Sequence, residues 1–265
     1  MKPFLFSVLL LSAMTAQAQT VTIPDGTTRP LGDMNGDGEV NISDVTALVN
    51  KILGKTPNPE PVPVLSCPDN HHPHLIDLGL PSGTLWSCCN VGASTPERYG
   101  GYYAWGETSE KSYYGIAYKW SSSDYGHKLT KYNTESKYGI VVDNKTTLDS
   151  ADDAATANWG VPWRMPTLED FEELIDNTSS TWTTKNGVNG REFKGANGGI
   201  LFLPAAGYRL EDELSNEGSD GFYWSSSLYE SYPFNACRLG FDSGNAVNMD
   251  GDRAYGRTVR PVLKN

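Results

Sequence analysis

Five oxygen-bearing side chains fall at positions 1, 3, 5, 9 and 12 of one short stretch: Asp33, Asn35, Asp37, Asn41 and Asp44. Between them Glu39, at position 7, offers its backbone carbonyl, and Gly38, at position 6, allows the sharp turn that gathers the ligands. Ca²⁺ takes six to eight hard oxygens at about 2.3–2.6 Å, and this register supplies them. The last ligand is Asp44 rather than Glu, so this shorter carboxylate must lie closer to the ion. The stretch is read as a Ca²⁺ loop.

The element that positions it follows directly. Val45, Leu48, Val49, Ile52 and Leu53 recur at helical spacing, and Gly54 ends the run. Residues 32–54, with their D-x-N-G-D-G-x-V-N-x-x-D-V-x-x-L-V-x-x-I-L-G pattern, resemble a dockerin type I repeat. The resemblance implies Ca²⁺ binding and a cohesin module of a polysaccharide-degrading assembly as partner. Dockerins normally carry two such repeats and this chain shows one. The repeat is therefore also read as able to dock on its own neighbour domain or on a non-cohesin protein.

Residues 1–18 have the layout of a secretory signal peptide: Lys2, an apolar run from Phe4 to Met14, and Ala16-Gln17-Ala18 before the cleavage point. The expected product is secreted or held at the cell surface, with no membrane span. The formal charge of −11 argues against nucleic acid as a partner. Four cysteines in an exported chain are disulfide candidates: Cys67, Cys88, Cys89 and Cys237. Cys88 and Cys89 are adjacent, and a bridge between them would strain the peptide. Cys67 and Cys237 are left as their partners, in either order. His71, His72 and His74 lie near Cys67, but Pro73 interrupts them and no Cys/His zinc spacing results, so they are read as exposed linker.

The organisation expected is a signal peptide (1–18), a spacer (19–31), the Ca²⁺ repeat (32–55), a Pro-rich linker (56–73) and a main domain (74–265). In the main domain, 75–80 and 84–91 read as strands around Pro81-Ser82-Gly83, and Tyr99–Glu107 as loop-anchoring aromatics. Residues 111–147 read as long polar loops. Ser150 and Asp153 form a candidate capping box for a helix over 151–158, closed by Trp159-Gly160. Thr167 and Asp170 form a second box, opening a helix with Leu168, Phe171, Leu174 and Ile175 on its buried face. Glu169, Asp170, Glu172 and Glu173 read as a solvated face near the helix N-terminus. Short strands follow at 200–203, 222–226, 236–241, 246–249 and 258–263.

Trp163-Arg164-Met165-Pro166-Thr167, Gly207-Tyr208-Arg209, Tyr223-Trp224-Ser225-Ser226-Ser227 and Gly256-Arg257-Thr258-Val259-Arg260-Pro261-Val262 together resemble the Fibrobacter succinogenes major paralogous domain. That resemblance covers nearly all of residues 75–263. It implies an α+β, C-type-lectin-like fold with two helices, short antiparallel strands, paired first and last strands, and long loops over one face. The Trp-Arg-Met-Pro-Thr start is also similar to that of formylglycine-generating enzymes. Their paired C-terminal cysteines are not matched, since that region holds only Cys237. No Gly-x-Ser-x-Gly, His-Glu-x-x-His or P-loop occurs, so an enzyme with an unrecognised site is the lowest-ranked reading. The Glu-Pro-Asn and Trp-Asn-Asp sugar motifs of calcium-dependent lectins are missing too.

Residues 229–255 interleave aromatic, amide and charged side chains between short strands. Trp224, Tyr229, Tyr232, Asn235, Arg238, Asp242, Asn245, Asn248, Arg253 and Tyr255 are the candidate ligand-binding residues. Rigid aromatics supply contact area and amides supply adaptable hydrogen bonds, as in binding loops. Ordinary polar hairpin turns would show the same composition. The sequence thus points to a secreted, non-catalytic protein that recognises a surface glycan or protein, with an accessory role in a cohesin–dockerin assembly as the second reading.

Overall fold

Turn residues recur every few positions along this chain, and they cut its apolar runs into short strands rather than long elements. The computed structural model describes residues 20–22, 28–30, 74–122 and 128–264. It divides into two units, Met1–Pro61 and Val62–Asn265. In the first, β1 (Thr20–Thr22) pairs antiparallel with β2 (Thr28–Pro30). The signal segment, the Ca²⁺ loop with its helix, and residues 56–73 with Cys67, His71 and His72 all lie outside the described residues.

The second unit is mixed α and β, with every paired strand antiparallel. Its elements are β3 (Leu75–Asp77), β4 (Thr84–Ser87), α1 (Ala154–Trp159), α2 (Leu168–Asn177), β5 (Thr178–Lys185), β6 (Val188–Gly195), β7 (Ile200–Pro204), β8 (Tyr208–Leu210), β9 (Glu213–Ser215), β10 (Gly221–Leu228), β11 (Asn235–Phe241), β12 (Ala246–Asp252) and β13 (Val262–Lys264). Three three-stranded sheets run in the orders β13-β4-β3, β5-β6-β7 and β10-β11-β12, with β8-β9 as a separate ribbon. The last strand pairs with β4, Val262 opposite Trp86. The unit thus closes on its own C-terminus.

The strands expected at 75–80, 84–91 and 258–263 are shorter than expected. Residues 88–91 and 258–261 instead contact each other through loop hydrogen bonds such as Val91 N–H to Val259 O. The described residues of 111–147 hold one short 3₁₀ turn and isolated bridges, as their weak periodicity suggested. A hairpin unforeseen in the sequence reading, β5–β6, is closed by Asn186 and Gly187 with φ of 50° and 81°. Two successive positive φ values suit a two-residue turn matched to strand twist.

Helix α1 starts later than its sequence suggests. Ser150–Asp152 is a 3₁₀ turn, and Asp153 caps the helix by accepting from Thr156 N–H. The other Asp153 oxygen accepts from Met165 N–H, so the cap also holds the approach to α2. The box opening α2 is formed as expected, Thr167 and Asp170 each accepting from the other's backbone. Phe171 and Leu174 on α2 are fully buried and meet Trp86, Phe193, Tyr223, Leu239 and Phe241 in the main core. A second core gathers Trp105, Tyr132, Met165, Trp224 and Val259. Each such side chain contributes about 1.5–3 kcal/mol by leaving water.

Asp170 is not part of a solvated face. It is buried, pairs with Arg164 at 2.6 Å, and accepts from Thr84 Oγ1, tying α2 to β4. Burial alone would push its carboxyl up, but hydrogen bonds and charge from Arg164 and the Thr167 backbone outweigh it. They hold the carboxyl below its usual range. A depressed folded value means stability present above the unfolded value of about 3.9, lost as pH falls through the folded one. Asp170→Asn should therefore cost about 3 kcal/mol at neutral pH in urea unfolding, and flatten the loss of stability below about pH 4.

Candidate ligand-recognition face

Alternation along β10, β11 and β12 sorts their side chains to two faces. Tyr223, Leu239 and Phe241 point into the main core. The opposite face carries Phe222 beside Gly240 and Val247, then Trp224 beside Arg238 and Met249. Near β10 this face is covered, because fully buried Trp224 donates its indole N–H to Tyr103 O. Toward β12 it is open: Val247 and Met249 are exposed, Met249 at 44%.

Two buried guanidiniums lie between the covered and the open half. Arg238 sits over the Phe222 ring at 4.4 Å, and Arg257 over Trp224 at 4.2 Å and Tyr255 at 5.4 Å. Tyr255 in turn stacks on Tyr208 with centroids 5.8 Å apart, and Tyr208 meets Phe222 edge-on. Gly251 makes room for both cations: a Cβ there would stand 2.6 Å from one Arg257 terminal nitrogen and 2.9 Å from Arg238 Nε.

These cations are weakly satisfied. Arg238 donates from Nε to Asp250 O, and Arg257 donates from one terminal nitrogen to Asp252 O. Arg238 Nη1 and Arg257 Nε are buried without an acceptor. Among the described residues no carboxylate lies within ion-pair distance of either. The nearby acids are engaged elsewhere, Asp250 with the Asn235 amide and Asp252 with Ala254 N–H. Burial pushes Arg238 down to about 10. Burial, then the charge of Arg238, pushes Arg257 down to about 9.

A family model described as a domain of unknown function, DUF8237, matches residues 92–262. The chain belongs to this family. No curated protein and no solved structure matches it. Within the DUF8237 domain the face combines residues from β10–β12 with Tyr208 of β8 and the segment after β12.

Of the ten candidate ligand-binding residues, Arg238 and Tyr255 are brought together on this face. Tyr229 and Tyr232 are exposed on the β10–β11 connection, where Tyr232 packs edge-on against Tyr138 and Phe234. Asp242 and Asn245 form the β11–β12 turn, the Asp242 carboxylate accepting from Gly244 and Asn245 N–H. Asn235 and Asn248 project to the other face of the sheet, and the buried Asn248 Oδ1 has no partner. Two candidates are corrected. Trp224 is sealed in the second core, and buried Arg253 donates to Tyr118 Oη and to the carbonyls of Lys131, Tyr132 and Pro233. Both hold loops rather than ligand. Sequence reasoning missed Tyr208, Val247, Met249 and Arg257 as face residues; the alternation Val247, Met249, Gly251 was the available signal.

The disulfide expected between Cys237 and Cys88 or Cys89 is not formed. Cys237 is a buried thiol 3.5 Å from Leu228 O, whereas the Cys88 and Cys89 sulfurs face each other at 3.5 Å in the main core. A recess of about 620 Å³ lies away from the face, lined by Ile76, Thr183, Ile200 and Phe202. Burial, then nearby carboxylates, push the Cys237 thiol up to about 11, so almost no thiolate exists near neutral pH. Mass spectrometry after iodoacetamide at pH 8 should show Cys237 unmodified in the folded protein and alkylated after unfolding without reductant.

Proposed function

We propose that this is an exported, non-catalytic recognition protein. Its DUF8237 domain would adopt a C-type-lectin-like arrangement and bind a surface glycan or protein through the open face of β10–β12. The pairing of β4 with β13, the two helices and the packing of α2 against β10–β12 support the fold reading. One observation carries the functional reading: two buried cations, short of hydrogen-bond acceptors, stand among tyrosines and an exposed methionine. Such an arrangement costs the free protein stability and gains from a ligand. Asp33, Asn35, Asp37, Glu39, Asn41 and Asp44 would hold Ca²⁺ in the dockerin-like repeat, which attaches the domain to a cohesin-like or other protein. The completeness of that ligand register favours a second reading, an accessory component of an extracellular polysaccharide-degrading assembly.

Screening the full chain on arrays of neutral and acidic oligosaccharides and of surface proteins should give binding that weakens about tenfold or more in Tyr255→Ala. Binding indifferent to Tyr255 and Tyr208 would move the site elsewhere. Calorimetry should find one saturable Ca²⁺ site, lost in Asp33→Ala/Asp37→Ala and raising the melting temperature when filled.

A further inference from the structure

Three arginines of the final segment are buried, and comparing them isolates one. Arg253 donates four hydrogen bonds, and Arg260 donates to Asn90 Oδ1 and to the carbonyls of Ser87, Cys88, Pro96 and Phe202. Arg257 donates one, and its neighbour Arg238 donates one. A guanidinium carries five N–H donors in a planar fork. The fold therefore gives two of these cations four or five protein acceptors each and the adjacent pair one each, with one nitrogen of each of the pair buried without any. The pair is 8% and 5% exposed; Arg238 Nη1 and Arg257 Nε are sealed from solvent without an acceptor, while the other terminal nitrogen of each reaches the surface.

The unused donors suit an anion with several acceptor sites close together. A carboxylate offers two oxygens and about four lone-pair sites, matched to guanidinium forks. The chain as a whole is strongly acidic, so a long polyanion would be repelled by the rest of the surface, whereas a single inserted carboxylate would not. Beside the pair, Tyr208 and Tyr255 stack on each other at 12°, and this half-buried aromatic pair gives a small ring an apolar edge to pack against.

Resting on the recognition reading above, we infer that Arg238 and Arg257 form a subsite for the carboxylate of an acidic saccharide, its sugar ring lying against Tyr208 and Tyr255. Met249 stands directly beside Arg238 in the strand register, and a Cβ at Gly240 would meet its sulfur at 2.6 Å and Arg238 Nη1 at 3.0 Å, so the two side chains converge over Gly240. It is the exposed cover of the subsite and the residue to vary.

The test uses the full chain with calcium chelated, so that the Ca²⁺ loop does not bridge to the ligand. Calorimetry compares trigalacturonate, neutral galactotriose and a tri-glutamate peptide on the wild type, Met249→Glu and Met249→Gln. Replacing either arginine would risk unfolding; replacing exposed Met249 does not empty the core. Trigalacturonate should bind the wild type about tenfold or more tighter than galactotriose. Met249→Glu places a carboxylate on the guanidiniums, so it should melt higher and lose trigalacturonate binding about tenfold or more, while Met249→Gln stays within about threefold. Equal binding of both sugars, or undiminished binding by Met249→Glu, overturns the inference. Comparable binding of tri-glutamate overturns the saccharide assignment. Galactotriose binding alone sinks this inference and leaves the recognition reading standing, whereas no binding of any probe together with empty arrays sinks both.

Discussion

The buried Arg260 guanidinium is the point on which the domain depends. Five neutral acceptors from residues 87–90, 96 and 202 converge on it, and no carboxylate does. Burial pushes its pKa down, but carbonyl dipoles and the Tyr223 hydroxyl surround the charge. Such a cation is tolerated only because nearly every donor is used. The acceptors belong to the end of β4 and the turn after it, to the following loop and to β7. Arg260 thus joins segments that share no sheet. Removing it would leave carbonyls of several segments unpaired at once.

The same logic runs along the rest of the C-terminal segment. Its backbone pairs successively with Trp105, Arg209, Tyr103, Trp224, Val91, Ser87 and Arg164. Arg253, stacked at 4.7 Å over Trp105, closes the loops around Lys131 and Tyr132. Among the described residues those loops carry only isolated bridges and are held by side chains instead. Asp152 gathers Lys119, Lys131 and Tyr132, and Asp143 accepts from the backbone of Tyr132 and Asn133. Against this rigid frame the sparse bonding of Arg238 and Arg257 stands apart. Their face has an open side because β12 leaves Val247 and Met249 exposed and has glycine at Gly251 beside the cations.

What the sequence disclosed follows how local each determinant is. The α2 box was legible because Thr167 and Asp170 are three residues apart and act on each other. Asp153 misled, since its second partner, Met165, lies twelve residues on and displaced the cap from Ser150. The Asn186-Gly187 signal was present but lay between strands too polar to stand out. On the β10–β12 face, composition alone picked Arg238 and Tyr255 and also Trp224 and Arg253, whose chemistry is the same but whose hydrogen-bond partners come from distant loops. Arg257 sat within a recognised motif, yet nothing local distinguishes it from Arg260. The difference is how many acceptors the fold brings to each, and that is a tertiary property.

Nitrogen NMR of the guanidiniums in arginine-labelled full-length protein tests this difference directly. Each Nε–H reports its own hydrogen bonding and exchange with water. Arg253 and Arg260 should exchange slowly and stay fixed when trigalacturonate is added, while the Arg238 and Arg257 resonances shift and become protected. If all four respond alike, or if Arg238 and Arg257 are already as protected as the others and do not move, the face is ordinary protein surface and the account of it is wrong.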